Sequence, residues 1–262
     1  MIALIGIFNE IYFMPELLKS DAIILDSIRW KDTSKIVTMF SREHGIIKVI
    51  ARGVYRNKST FAGKLESLNR VEIVINSSSL RSLQILTEVD VIDSYNAIRP
   101  DLQRLPYALA ILELIRQTIR ESHVDTIFYD FIIVLLDGLR TIQKPVIIFI
   151  YFLLKLVSFL GFKPNLDECQ VCNKTPSSDT SYFSLEKGTI FCHDCAEGAA
   201  MLRKVKASDL ELLKRLQNFP HRKIDEFEVK DLPAQYFTTL LIDYLNFHTE
   251  TNVSVKSLSM LI

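Results

Sequence analysis

The sequence predicts two regions of different class. A five-stranded β-barrel of OB type is expected over residues 20–98, and a helical domain over 99–262 carries an inserted four-cysteine zinc module at about 165–198. Three observations carry this division. Short apolar runs with period-two alternation continue to Asp93, which is the pattern of strands. After Pro100 the apolar residues recur every three or four positions, which is the pattern of helices. Between two of those helical stretches stand the chain's four cysteines, as two Cys-x-x-Cys pairs.

Residues 1–19 form an N-terminal extension of unassigned role. Ile2–Phe8 is apolar, but no basic segment precedes it, Asn9 and Glu10 interrupt it, and no small-residue cleavage site follows. A secretory signal is therefore not expected. A short helix capping the first domain and a functional start nearer Met14 are both open readings. Strands are expected at Ala22–Ile28, Ile36–Phe40 and Ile46–Ala51, separated by polar turns at Lys31–Ser34 and His44–Gly45. Val71, Ile73 and Ile75 alternate with Arg70, Glu72 and Asn76 in a half-buried fourth strand. Ser77–Ser79 reads as a turn, and Leu83, Ile85, Val89 and Val91 are expected to line the inner face of a fifth strand. Five short strands with a longer excursion between the third and fourth suit an OB barrel; an SH3-like barrel is the competing reading.

In the second region, Leu105, Leu109, Leu112, Ile115 and Ile119 form one helical stripe, with Pro106 in the first turn. Phe128, Phe131, Ile132, Leu135, Leu139 and Ile142 form another. Val146–Leu160 is apolar nearly all round, but it is too short to span a bilayer and carries Lys155, so it reads as the central helix of a bundle. Ser208-Asp209-Leu210-Glu211 has the pattern of a capping box opening a further helix. A last helix follows Pro233, with Tyr236, Phe237, Leu240, Leu241, Tyr244 and Phe247. The domain is thus expected to be all-α apart from the inserted module.

Cys169-x-x-Cys172 and Cys192-x-x-Cys195 have the spacing that brings four thiolates onto one tetrahedral zinc. Two disulfides and a redox pair are the competing readings; the absence of a secretory signal argues against the first, and of a βαβ pattern against the second. His193 offers a fifth donor, and with four cysteines present it is expected to be an exposed residue of the knuckle. A four-thiolate site has no open coordination position, so its role is structural, one zinc per chain.

Formal net charge is zero, with 48% hydrophobic and 24% charged residues, so no global field favours a polyanion. The charge is uneven, however. Between Arg29 and Lys64 lie nine basic residues against only Asp32 and Glu43. Arg29, Lys31, Lys35, Arg42, Lys48, Arg52, Arg56 and Lys58, with Trp30 and Tyr55 among them, have the composition of a surface that grips phosphates and stacks bases. A solvated face with core aromatics is the plain alternative. A second basic run, Arg203, Lys204, Lys206, Lys214 and Arg215, reads either as a solvated helix face or as the basic rim of a groove for a partner segment. No nucleophile–base pair, paired acidic cluster or phosphate-cradling glycine loop is visible, so no enzyme is expected.

Phe40-Ser41-Arg42-Glu43-His44-Gly45, running on to Ala51-Arg52-Gly53, resembles the N-terminal signature of the RecO family of bacterial recombinational repair proteins. Leu156 to Pro164, followed by the cysteine pairs, is similar to that family's second signature, and Ser254-Val255-Lys256-Ser257-Leu258 to its tail. The resemblance covers about residues 20–262 in the same order. It departs from the family before Lys19, and at Thr33-Ser34, where many members have an acidic residue. The resemblance implies an OB-fold, a helical domain and, in many members, a structural zinc. It also implies binding of single- and double-stranded DNA, strand annealing, and partnership with RecR and with the C-terminal tail of single-stranded DNA-binding protein. That is a cytoplasmic, nucleoid-associated recombination mediator that touches no membrane. A zinc-stabilised adaptor that binds only proteins and an OB-fold RNA-binding factor are the readings from other classes.

Overall fold

The structure, a computed structural model, describes residues 16–78, 83–121, 124–176, 179–249 and 252–261. The chain divides into two compact units, Met1–Ser94 and Tyr95–Ile262.

The first unit contains β1 (Glu16–Trp30), β2 (Ser34–Ser41), β3 (Gly45–Ala51), β4 (Arg70–Ser77) and β5 (Gln84–Asp93). The ladders run β1-β2-β3-β5-β4, and β4 pairs back onto β1. The β3–β5 ladder is parallel and the others are antiparallel. β1 serves two neighbours because it is long: Glu16–Ile23 pairs with β4, and Ala22–Trp30 with β2. Inward residues alternate along each strand, and Ala22, Ile24, Val37, Met39, Val49, Ala51, Val71, Ile73 and Ile75 build one core. Burying each larger side chain of this kind contributes about 1.5–3 kcal/mol.

Two expectations are corrected here. Residues 16–19 are not an appendage but the first turns of the ladder, with Leu18 opposite Ile75. The adjacent pair Leu17-Leu18 hides the alternation, since Leu18 packs on the core while Leu17 is 66% exposed. The apolar run Ile2–Phe8 and Met14 lie outside the described residues, as does Ser79 of the expected turn. On β5 the residues packed into the core are Leu86 and Val89; Leu83 and Ile85 are not among them, and Val91, though opposite Val71, is 40% exposed. Between the pairs Val74–Glu88 and Ile75–Leu86 the register slips, so Thr87 is an extra residue and the parity changes across it. The excursion from Arg52 to Asn69 has neither helix nor strand. Leu65 and Phe61 anchor it to the core, and the Asn69 amide donates to the carbonyls of Gly63 (3.2 Å) and Lys64 (2.9 Å). Phe61 is therefore a packing residue.

The second unit contains α1 (Leu105–Thr118), α2 (Thr126–Gly138), α3 (Val146–Phe159), β6 (Asn165–Cys169), β7 (Thr180–Ser184), β8 (Thr189–Cys192), β9 (Leu202–Lys206), α4 (Ala207–Asn218) and α5 (Ala234–Thr249). α3 is the central helix, buried continuously from Ile147 to Leu154. Its Lys155 keeps a partner by donating to the Gln217 carbonyl at 2.7 Å. Asp125 caps α2 by accepting from the Phe128 N–H at 2.8 Å. The unit is not all-α outside a small knuckle: β6–β9 form a four-stranded sheet of order β6-β8-β7-β9. Strands of four or five residues contain too few alternations to register as a period, which is why the sequence pattern misses them. The box at Ser208–Glu211 also does not form. β9 runs straight into α4, the N-cap is Lys206 without a side-chain bond, and Ser208 falls inside the first turn. The first helical N–H, that of Ala207, is taken instead by the Asp179 carbonyl at 3.0 Å.

Two of the motifs quoted above prove architectural. In Phe40–Gly45, Phe40 and Ser41 are buried and Gly45 turns the chain with a φ of 66°. Ser254–Leu258 clamps the tail to α1: Gln117 exchanges bonds with the Ser254 backbone (2.9 and 3.1 Å), and the Ser257 hydroxyl donates to Glu113 at 2.8 Å.

Candidate nucleic-acid interface and metal centre

β6 ends at Cys169, a turn follows to Cys172, β8 ends at Cys192, and a 3-10 turn carries Cys195. The parallel β6–β8 pairing sets the two knuckles side by side. All four sulfurs lie within 4.8 Å of one another, and Cys172 and Cys192 are 3.9 Å apart. A tetrahedron with metal–sulfur distances near 2.3 Å has edges of about 3.8 Å, so the cluster has the dimensions of a four-thiolate metal site. All four cysteines are free thiols rather than disulfide partners. Burial pushes the Cys169 thiol up, but N–H groups of Cys172, Cys192 and Val171 bond its sulfur and hold it at about 6. The Cys195 thiol is pushed up to about 12, first by its bond to Cys192 and then by burial. Together these say that a thiolate forms readily at Cys169 and that Cys195 resists a second negative charge beside it. A bound cation removes that conflict. His193 is exposed beside the Tyr182 ring and stands outside the cluster.

The ten residues expected to meet nucleic acid do not all come together. Strand register sorts them. Arg29 is opposite Lys35 at one end of the barrel, and both approach the Tyr55 ring, at 5.0 and 6.0 Å from its centroid. Tyr55 is brought there by its N–H, which bonds the Thr33 carbonyl at 3.2 Å. Trp30 and Lys31 end β1 and begin its turn, and Arg52, Arg56 and Lys58 follow β3 in the same excursion as Tyr55. Trp30 and Tyr55 are 42% and 46% exposed. Lys35 is not a free cation, since Glu66 pairs with it at 3.0 Å. Lys48 lies mid-strand opposite Thr38. Arg42 is at the other end of β2, beside Glu43 at 3.3 Å, some 20 Å along the strand from Lys35 at about 3.3 Å per residue. Ile28, Ile36 and Ile50 were not singled out in the sequence. They lie directly opposite one another across three strands, on the face away from the core. Their signal is that these strands are apolar on both parities.

The second basic run divides as well. Arg203 pairs with Asp243 of α5 at 3.1 Å, while Lys204 and Lys206 are exposed. Lys214 and Arg215 sit on α4, with the Arg215 guanidinium 5.4 Å from the Phe227 ring.

A five-stranded barrel followed by a helical unit with a four-cysteine cluster defines a two-part architecture, and sequence comparison says to which family it belongs. Residues 14–95 match the family described as Recombination protein O N terminal, and residues 99–258 match Recombination protein O C terminal. The chain belongs to the RecO family of DNA repair proteins. It is similar to proteins named DNA repair protein RecO from Caldanaerobacter subterraneus subsp. tengcongensis (27% identity, 93% of this chain and 97% of the relative) and Chlorobium limicola (26%, with 93% and 97%). A third such relative, from Pelotomaculum thermopropionicum, is 29% identical over 91% of each chain. No helix among the described residues is long and apolar enough to cross a membrane.

Proposed function

We propose that this chain is a non-catalytic recombination mediator that binds single- and double-stranded DNA, anneals complementary strands, and helps load recombinase on coated single strands together with RecR. The observation that carries the reading is the gathering of Arg29, Lys31, Arg52, Arg56 and Lys58 with exposed Trp30 and Tyr55 at one end of the barrel, in a chain of this family. Cations there hold phosphates of any sequence, and aromatic rings add sequence-tolerant stacking. The strand order, returning from β4 to β1, supports an OB-type barrel. The domain division proposed is 20–98 for DNA binding and 99–262 for partners, with β1 extending the first part back to Glu16.

Cys169, Cys172, Cys192 and Cys195 would hold one structural zinc, which ties two turns that bury little core of their own. Lys204, Lys206, Lys214 and Arg215 would form the rim that takes the acidic, apolar-ended tail of single-stranded DNA-binding protein, with Arg203 held back by Asp243. The place of action is the cytoplasm, on the nucleoid. Annealing of two complementary strands already coated with single-stranded DNA-binding protein tests the reading. The full-length chain is expected to accelerate it several-fold. A protein that merely competes with the coat would lose all activity as coat is added, and that result would exclude the mediator role.

A further inference from the structure

We propose that the outer face of the four-stranded sheet, beside the cysteine cluster, is a docking groove for a cationic protein segment with an apolar anchor. The inference does not rest on the DNA-binding reading, since the groove lies in the second unit and its charge repels DNA. Alternation gives the sheet two faces. Phe183, Ile190 and Val205 line one apolar cavity with Leu154 of α3, Leu213 of α4 and Leu240 of α5, so their face is packed on the helices. Tyr182 is opposite Phe191 and Ser184 is opposite Thr189; these four have the other parity and face away from the helices. On that side lies a groove of about 390 Å³. Phe191 and Ser184 line it from the sheet, Val171 and Cys195 from the two knuckles, Glu186 from the β7–β8 turn, and Glu197 from the segment leading to β9. Val171 is 61% exposed, and Met201, next to the groove's last lining residue, is 49% exposed. Ligand spacing fixes only the cysteines on either side of Val171, so the metal site does not require a branched apolar residue there. Such a residue left open above the buried Phe191 marks a contact surface. The Thr189 hydroxyl on the same face is buried without a hydrogen-bond partner, a polar group the fold itself does not satisfy.

Charge identifies the occupant. Residues 165–201 carry six acidic residues against Lys174 and Lys187, in a chain that balances 31 against 31 overall. All six are exposed. Glu186 and Glu197, the two on the groove, have no cation paired with them among the described residues, and Lys187 is the one cation of the lining. The carboxylates do not converge as a metal site would: among the described residues only the four cysteines stand at ligand distance from one another. The other cations of this face, Lys204 and Lys206, belong to the edge strand β9, opposite Tyr182 and Thr180. The face is thus cationic at the β9 edge and anionic at the knuckles, and an acidic segment suited to the first is repelled by the second. An apolar floor between carboxylates fits a segment in which Lys or Arg flanks an aliphatic side chain.

The full-length protein is titrated with a fluorescein-labelled Lys-Lys-Leu-Leu-Lys-Lys peptide, following anisotropy, with metal content measured in every variant. Two control peptides carry serine in place of leucine, or glutamate in place of lysine. The lysine–leucine peptide is expected to bind, more weakly as salt is raised, and each control to bind far less. Val171→Ser, and separately Glu186→Gln with Glu197→Gln, should each weaken that binding roughly five-fold, as loss of one anchor does, with metal content unchanged. The glutamate pair carries the test alone if Val171→Ser, between two cysteines, loses metal. Affinity for single-stranded DNA should be the same in all variants, so failure here leaves the DNA-binding reading untouched. No binding of the lysine–leucine peptide would overturn the groove, and so would equal binding of the serine control, which needs only charge. Binding that every variant leaves intact would place the peptide elsewhere and overturn the assignment. Tighter binding of the glutamate peptide would reverse the sign of the partner. A concentration-dependent doubling of mass that Val171→Ser abolishes would give the groove to a second copy instead.

Discussion

Gly188 stands in the turn between β7 and β8 with a φ of 60°, and a Cβ added there would run into the Tyr244 hydroxyl. That hydroxyl donates to the Phe162 carbonyl at 3.0 Å, just after α3. Gly188→Ala therefore combines left-handed backbone strain with overpacking and should cost about 2–4 kcal/mol, read as a lowered thermal midpoint. A midpoint unchanged by the substitution would mean that the turn relaxes freely. At the cysteines, Cys172→Ser should lower metal content below one per chain and reduce solubility together, because binding and local folding are one event. DNA affinity per folded molecule should change little. Metal analysis beside a melting curve checks this, and metal-free wild-type protein with an unaltered midpoint would contradict it. The cysteines were legible in the sequence because ligand spacing is local. The partners that restrain the basic residues were not. Glu66 is 31 residues from Lys35, and Asp243 is 40 from Arg203, so only the fold reveals that these two cations are already engaged.

At the scale of elements, the long periodic stretches were readable and the short or irregular ones were not. α3 announces itself by fourteen residues with a single charge, and the expected span differs from the observed Val146–Phe159 by one position. β7, β8 and β9 have four or five residues each, and the bulge at Thr87 reverses an inner face without any mark in the sequence. β9 also alters how the second basic run is understood, because alternate residues of a strand face opposite ways. Lys204→Ala with Lys206→Ala should weaken binding of an acidic, apolar-ended peptide, and more so at low salt. Arg203→Ala should leave peptide affinity nearly unchanged and cost at most about 1 kcal/mol of stability, as half-exposed ion pairs do. A fluorescence titration of the peptide against the full-length variants separates the two. Equal loss of affinity in both would mean that strand direction does not sort the rim.

At the scale of the whole molecule, a barrel presenting cations and open aromatic residues at one end is carried by a chain that also holds a metal-sized thiolate cluster in a separate compact unit. The central claim is that the excursion after β3 grips DNA through phosphates. Its most direct test is the salt dependence of single-strand affinity for the wild type, for Arg52→Ala with Arg56→Ala and Lys58→Ala, and for a control with Lys230→Ala and Lys256→Ala. Each phosphate contact contributes about 0.7 to the slope of log affinity against log salt on single strands. The triple variant should bind more weakly and its slope should fall by about 2, with the control indistinguishable from wild type. Equal affinities and equal slopes in all three proteins would contradict the account.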